Sequence, residues 1–119
     1  ALRVPNSSAY TRHFEHRVAG VDANPYLVAA VTLAGALHGI AQRSDPGPAA
    51  EGNSYAQTPV TPLPKTWFEA IERLAHSAFM RDVLGEALHQ AFVAIKRAEY
   101  ERLALDVSQA EWQLYGFAV

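Results

Sequence analysis

From residue 12 to residue 18 polar and apolar side chains alternate. Phe14, His16 and Val18 fall on one face; His13, Glu15 and Arg17 fall on the other. A period of two predicts a short strand with one polar face. The pattern then changes. Asp22-Ala23-Asn24-Pro25 reads as a helix start, in which Asn24 caps the first orphan N–H groups and Pro25 takes a position that needs no N–H. Tyr26 to Ile40 is apolar nearly all round, which predicts a helix over 24–43 buried on most sides. Ala29, Ala30, Ala34, Gly35 and Ala36 would let a neighbouring backbone approach closely. Gly39 and Gln42-Arg43-Ser44-Asp45-Pro46 are the stop signals.

Residues 44–64 read as a loop holding Pro46, Pro48, Pro59, Pro62 and Pro64 with Gly47 and Gly52. A structureless stretch of that length in a compact domain is more often functional or interfacial than idle. The segment 66–119 reads as a helical tail. Thr66-Trp67-Phe68-Glu69 is a capping box ahead of the periodic positions Trp67, Ala70, Ile71 and Leu74. Ser77 to Leu84 is a short helix closed by Gly85. Glu86 to about Leu105 is the longest helix, its apolar stripe marked by Leu88, Phe92, Ile95 and Leu103. Lys96–Glu99, Arg97–Glu101 and Glu99–Arg102 have helical neighbour spacing. Ser108-Gln109-Ala110-Glu111 is a second capping box, opening a last turn with Trp112, Leu114 and Tyr115. The inventory is mainly α-helical, with one or two short strands in residues 1–20. A lone strand cannot satisfy its own edges, and no convincing partner is visible. That points to a piece of a larger, sheet-containing domain.

Composition narrows the picture. The 119 residues suffice for one core and not two. Half are hydrophobic and 18% charged, which excludes wholesale disorder. The longest apolar run, Tyr26 to Leu37, falls short of the roughly 18 residues that span a bilayer, so no membrane partner is expected. There is no cysteine, which excludes disulfides, thiolate zinc sites and cysteine nucleophiles and is compatible with a cytoplasmic protein, the location expected here. A net charge of −2 argues against a nucleic-acid footprint. The chain starts Ala-Leu-Arg-Val-Pro without an initiator Met or a signal-peptide pattern. The expectation is a removed leader or a piece of a longer chain.

The His13/Glu15/Arg17 face is the best polar constellation. A carboxylate two residues from a guanidinium can hold a divalent cation beside a phosphate. On pattern alone, a solvated strand face with an ion pair is the favoured reading. No histidine pair has metal-ligand spacing, and no phosphate-binding glycine loop or nucleophile elbow is present. His38, His76 and His89 read as helix-surface or core residues.

Glu15-His16-Arg17-Val18-Ala19-Gly20-Val21-Asp22-Ala23-Asn24-Pro25-Tyr26-Leu27 resembles the C-terminal part of the glutamine synthetase catalytic domain. That family shows an R-x-E-x-R strand, then A-N-P-Y-L opening a helix that ends in G-L-x-G-I, here Gly35-Ala36-Leu37-His38-Gly39-Ile40. Arg3-Val4-Pro5, Asn53-Ser54-Tyr55, Thr61-Pro62-Leu63-Pro64, Ala98-Glu99-Tyr100-Glu101 and Glu111-Trp112-Gln113-Leu114-Tyr115 match too. The likeness runs over essentially all of 1–119. The His16–Leu27 variant is most similar to the γ-glutamylpolyamine (γ-glutamylputrescine) synthetase branch.

The resemblance implies an α+β parent domain and an ATP-dependent glutamate–amine ligase working through γ-glutamyl phosphate. Its substrates would be ATP, glutamate and an amine, with ammonia as the alternative acceptor. It implies Mg²⁺ or Mn²⁺, and a homo-oligomer in the full-length protein. By the same resemblance Glu15 binds a catalytic metal and Arg17 lies near the transferred phosphoryl group. Arg3 contacts ATP phosphates. His13 stands where ammonia-using bacterial members carry an ATP-contacting arginine, and Arg12 beside it is a substitute. Tyr55 falls at a tyrosine that some bacterial members adenylylate, but its flanks differ and no modification is expected. The family's other metal ligands lie upstream, so the 119 residues are expected to be inactive alone. A non-catalytic scaffold that keeps the fold is the rival reading, and the presence of both Glu15 and Arg17 favours the ligase.

Overall fold

The computed structural model describes residues 2–5, 7–48, 52–53 and 61–117. Two compact units divide the chain, Ala1–Ala49 and Ala50–Val119.

In the first unit, β1 (Leu2–Arg3) pairs antiparallel with β2 (Glu15–His16), Leu2 opposite His16 and Arg3 opposite Glu15. The alternating stretch 12–18 therefore yields a ladder only two residues long, and Leu2–Arg3 is the partner that the sequence pattern hides. On the way between the strands the chain turns at Ser8–Thr11, where the Thr11 N–H donates to the Ser8 carbonyl at 3.1 Å. Helix α1 (Pro25–Gln42) starts as its sequence predicts: Asn24 Oδ1 accepts from the N–H groups of Tyr26 and Leu27 at 3.0 and 3.2 Å. Its end differs. Gly39 lies inside the helix, and Arg43 adopts the left-handed conformation, with φ 51°. The Ser44 N–H then reaches the Gly39 carbonyl and the Arg43 N–H that of Ile40. This is a Schellman closure with arginine where glycine would be unstrained.

The burial expected for α1 is not met within this chain. None of its residues is buried, and Tyr26, Leu33, Leu37 and Ile40 are two-thirds or more exposed, or nearly so. A Cβ added at Gly35 or Gly39 would meet nothing within 4 Å, so the small residues serve no close approach here. The physical reason is a shortage of cover: among the described residues of this unit only a two-residue ladder stands against an 18-residue helix. The membrane argument also needs correction. The apolar run stops at Leu37, but the helix continues to Gln42 without an Asp, Glu, Lys or Arg. At about 1.5 Å per residue it is some 27 Å long, and by length and composition alone it is long and apolar enough to cross a bilayer.

The second unit holds α2 (Trp67–Ala75), α3 (Ala78–Leu84), α4 (Glu86–Ala104) and α5 (Gln109–Tyr115). Each start has a local cause. Thr66 Oγ1 accepts from Glu69 N–H, but the Glu69 carboxylate takes the Lys65 N–H, one residue before the cap. The expected box at Ser108 forms in full: Ser108 Oγ accepts from Glu111 N–H and Glu111 returns the bond to Ser108 N–H. Gly85 joins α3 to α4 at φ 75° and ψ 152°, a backbone state that side-chain-bearing residues avoid.

Helix α4 packs against α2 and α3. Among the described residues the buried ones are Ile71 on α2 and His89 and Val93 on α4. The inward face of α4 is thus offset from the expected stripe, whose Leu88, Ile95 and Leu103 are about half exposed. His89 carries the helix junction: its Nε2–H donates to the Leu74 carbonyl at 2.8 Å, satisfying an acceptor in the last turn of α2. Arg97 is not paired with Glu101. It grips Glu72 of α2 instead, through Nε at 3.0 Å and Nη2 at 2.7 Å. Lys96–Glu99 forms as expected at 2.7 Å. Tyr100 meets Trp67 edge-on at 5.8 Å and Phe68 at 5.4 Å between ring centres. The described parts of 44–64 carry no helix or strand, and Arg73 ties the end of that loop to α2 by donating to the Pro62 carbonyl. Ser54 and Tyr55 lie outside the described residues.

Two outcomes follow from this packing. The 119-residue chain, with α1 uncovered, self-associates; light scattering over a concentration series checks this, and a monodisperse monomer at high concentration refutes it. Glu69 and Glu111 have carboxyls held below the ordinary glutamate value, chiefly by the backbone N–H bonds from Lys65 and Ser108. Because the folded value is depressed, their contribution is full above the unfolded value of about 4.3 and is lost as pH falls through the lower folded value. Thermal melting of Glu111→Gln should lose less stability than the parent between pH 5 and pH 3, taken as rough limits around those values.

Candidate functional site

The ladder register decides which charges meet. Arg3 and Glu15 are directly opposite, so their side chains leave the ribbon on the same face. Arg17, two residues beyond Glu15, returns to that face. Arg3 Nη1 donates to Glu15 Oε1 at 2.8 Å. Arg17 Nε stands 3.5 Å from Glu15 Oε2. One carboxylate therefore sits between two guanidinium groups, with a local charge of +1. The opposite face is apolar: Leu2, Phe14 and His16 line an open groove with Val31, Thr32, Gly35 and Ala36 of α1. This is the division of faces that the alternation predicts.

Of the five residues singled out from sequence, the structure brings Arg3, Glu15 and Arg17 together. Arg12 and His13 precede the strand and stay outside this cluster. His13 Nδ1–H donates to the Thr11 carbonyl of its own loop at 2.7 Å, and Arg12 is exposed. Sequence reasoning missed the direct pairing of Arg3 with Glu15. The only available signal was opposite charge at two positions twelve apart, and nothing local sets a cross-strand partner.

The side chains of Arg3, Arg17 and Glu15 are 55%, 61% and 33% exposed. Ion pairs this wet are worth about 0–1 kcal/mol, so the cluster is not what holds the ribbon together. What it offers is donors. Two guanidinium forks beside a carboxylate suit an anion such as a phosphoryl group.

For a divalent cation the donor set fits one ligand's share. Glu15 is a hard oxygen donor of the kind Mg²⁺ and Mn²⁺ take, and these ions commonly use one or two carboxylates plus phosphate oxygens. Among the described residues no group of three His, Asp or Glu side chains could hold a metal ion, and both Glu15 oxygens already face arginine. A cation taken up here would have Glu15 as one ligand and would need further donors.

The model of the glutamine synthetase catalytic domain matches residues 1–115, and the chain belongs to the glutamine synthetase family of carbon–nitrogen ligases. Gamma-glutamylputrescine synthetase of Escherichia coli is 36% identical over 117 residues, covering 96% of this chain and 24% of that protein. Gamma-glutamylethanolamide synthetase of Streptomyces coelicolor is 33% identical, with 96% and 24% covered. A glutamine synthetase of Halobacterium salinarum is 31% identical, with 96% and 27% covered. The chain therefore spans about a quarter of the length of these relatives. No solved structure gives a significant match. The family places the two-strand, mainly helical unit within the α+β class expected from sequence.

Proposed function

We propose that residues 1–119 are the phosphate-facing C-terminal part of a longer, cytoplasmic, homo-oligomeric ligase that joins the γ-carboxylate of glutamate to an amine at the expense of ATP. The observation that carries this is the Arg3–Glu15–Arg17 cluster on one ribbon face, within the stretch matched by the family model. An amine acceptor is favoured by the two relatives named for putrescine and ethanolamide products. Ammonia is the second reading, favoured by glutamine synthetases of similar identity.

The reaction has two steps. A glutamate γ-carboxylate oxygen attacks the γ-phosphorus of ATP; the bond to the bridging oxygen breaks, giving γ-glutamyl phosphate and ADP. The amine nitrogen then attacks the acyl carbon, the C–O bond to phosphate breaks, and the nitrogen releases a proton. Both steps gather negative charge on phosphoryl oxygens. Arg17 neutralises that charge with a guanidinium already positioned on the strand. Arg3, with Arg12 and His13 in the loop before β2, faces the nucleotide. Glu15 would be this chain's ligand to a bound Mg²⁺ or Mn²⁺, which would supply polarisation of phosphoryl oxygens. The remaining donors lie in the part of the protein outside these 119 residues.

In the full-length protein, Arg17→Lys should lower kcat by about 10²–10³-fold, the usual cost of losing an aligned charge donor. Steady-state phosphate release with ATP, glutamate and either putrescine, ethanolamine or ammonia checks this and ranks the acceptors. The 119-residue chain should release none. Full-length protein that turns over no acceptor, or an Arg17→Lys variant as active as the parent, would return the fold to a scaffold role.

A further inference from the structure

We infer that Arg3 is a positioning residue that couples cation binding to phosphate binding: it holds Glu15 while no cation is present and releases it when a divalent cation and a polyphosphate arrive together, an assignment that rests on the reading of Glu15 as a metal ligand given above. Three features carry it. Both oxygens of Glu15 are engaged, Oε1 by Arg3 at 2.8 Å and Oε2 by Arg17 at 3.5 Å. A cation approaching Glu15 must displace a guanidinium or stand beside two positive charges, which repel it. The Arg3–Glu15 pair is cross-strand and half exposed, so little opposes its exchange. Phosphate oxygens are the acceptors that make the exchange favourable, since Arg3 trades a carboxylate for a phosphoryl oxygen while the cation takes the carboxylate. Each ligand therefore binds better with the other present, and the effect is reciprocal.

An ordinary surface ion pair would behave differently, and Mn²⁺ binding to the full-length protein separates the two without any turnover. Free Mn²⁺ is followed by electron paramagnetic resonance, with and without a non-hydrolysable ATP analogue. Removing the Arg3 charge in Arg3→Gln should tighten nucleotide-free Mn²⁺ binding by about three- to tenfold. The factor by which the analogue tightens Mn²⁺ binding should shrink correspondingly. Arg3→Lys keeps the charge and should bind Mn²⁺ as the parent does, and Arg102→Gln, an exposed charge on α4, is the control for altered net charge. Circular dichroism confirms that the variants fold. Unchanged Mn²⁺ affinity in Arg3→Gln would overturn the inference and leave an ordinary ion pair. Weaker binding would overturn it too, because Arg3 would then be holding Glu15 ready for the metal. Glu15→Gln distinguishes the two levels: if it leaves Mn²⁺ binding unchanged, the reading of Glu15 itself fails; if it weakens binding while Arg3→Gln has no effect, only the coupling fails.

Discussion

A ladder two residues long, with Arg3 opposite Glu15, sets the chemistry of the first unit. Strand side chains alternate, so a slip of one residue would move Glu15 and Arg17 to the groove side and bring Phe14 and His16 to the charged side. Little in the ladder resists such a slip. The ion pair is wet, and two residues provide few backbone hydrogen bonds. The apolar face opposes it, because Leu2, Phe14 and His16 lie along Val31 and Thr32 of α1. The groove is open, with Leu2 and Phe14 about half exposed or more, and α1 has almost no cover of its own within the described residues.

The second unit is held by a different balance. Among the described residues its buried apolar side chains, Ile71 and Val93, lie where α2 and α4 meet, and two polar links flank them: His89 to the Leu74 carbonyl, and Arg97 to Glu72. The histidine bond is the drier of the two. The Leu74 carbonyl accepts from the Ser77 N–H as well as from His89, so the histidine link adds to the packing of Ile71 and Val93 and does not replace it. The rings of Trp67, Phe68 and Tyr100 extend the same contact along the helices.

Local signals in the sequence were legible and long-range ones were not. Asn24, Thr66 and Ser108 start helices where their side chains predict, because a cap needs only the next three residues. The faces of residues 14–17 followed from alternation alone. The strand partner Leu2–Arg3 did not, since pairing across twelve residues leaves no periodic trace. The inward face of α4 was misplaced because His89 counts as polar in a hydrophobic pattern, yet here its ring is buried and its one donor is satisfied. Arg97 was assigned to Glu101 on spacing, but Glu72 on a neighbouring helix offered both Nε and Nη2 an oxygen. For the candidate site, residue identity and motif named Glu15 and Arg17, while the pairing of Arg3 with Glu15 depended on register. The burial expected for α1 is not met within the described residues.

The His89–Leu74 bond also acts as a pawl. Helices packed side by side can in principle ratchet past each other by one turn, about 5.4 Å, and the neighbouring rings could re-seat after such a step. A single directional bond from a ring donor to the end of the adjoining helix has no equivalent seat one turn away. The bond therefore marks one register of α4 against α2: sliding either helix by a turn breaks it.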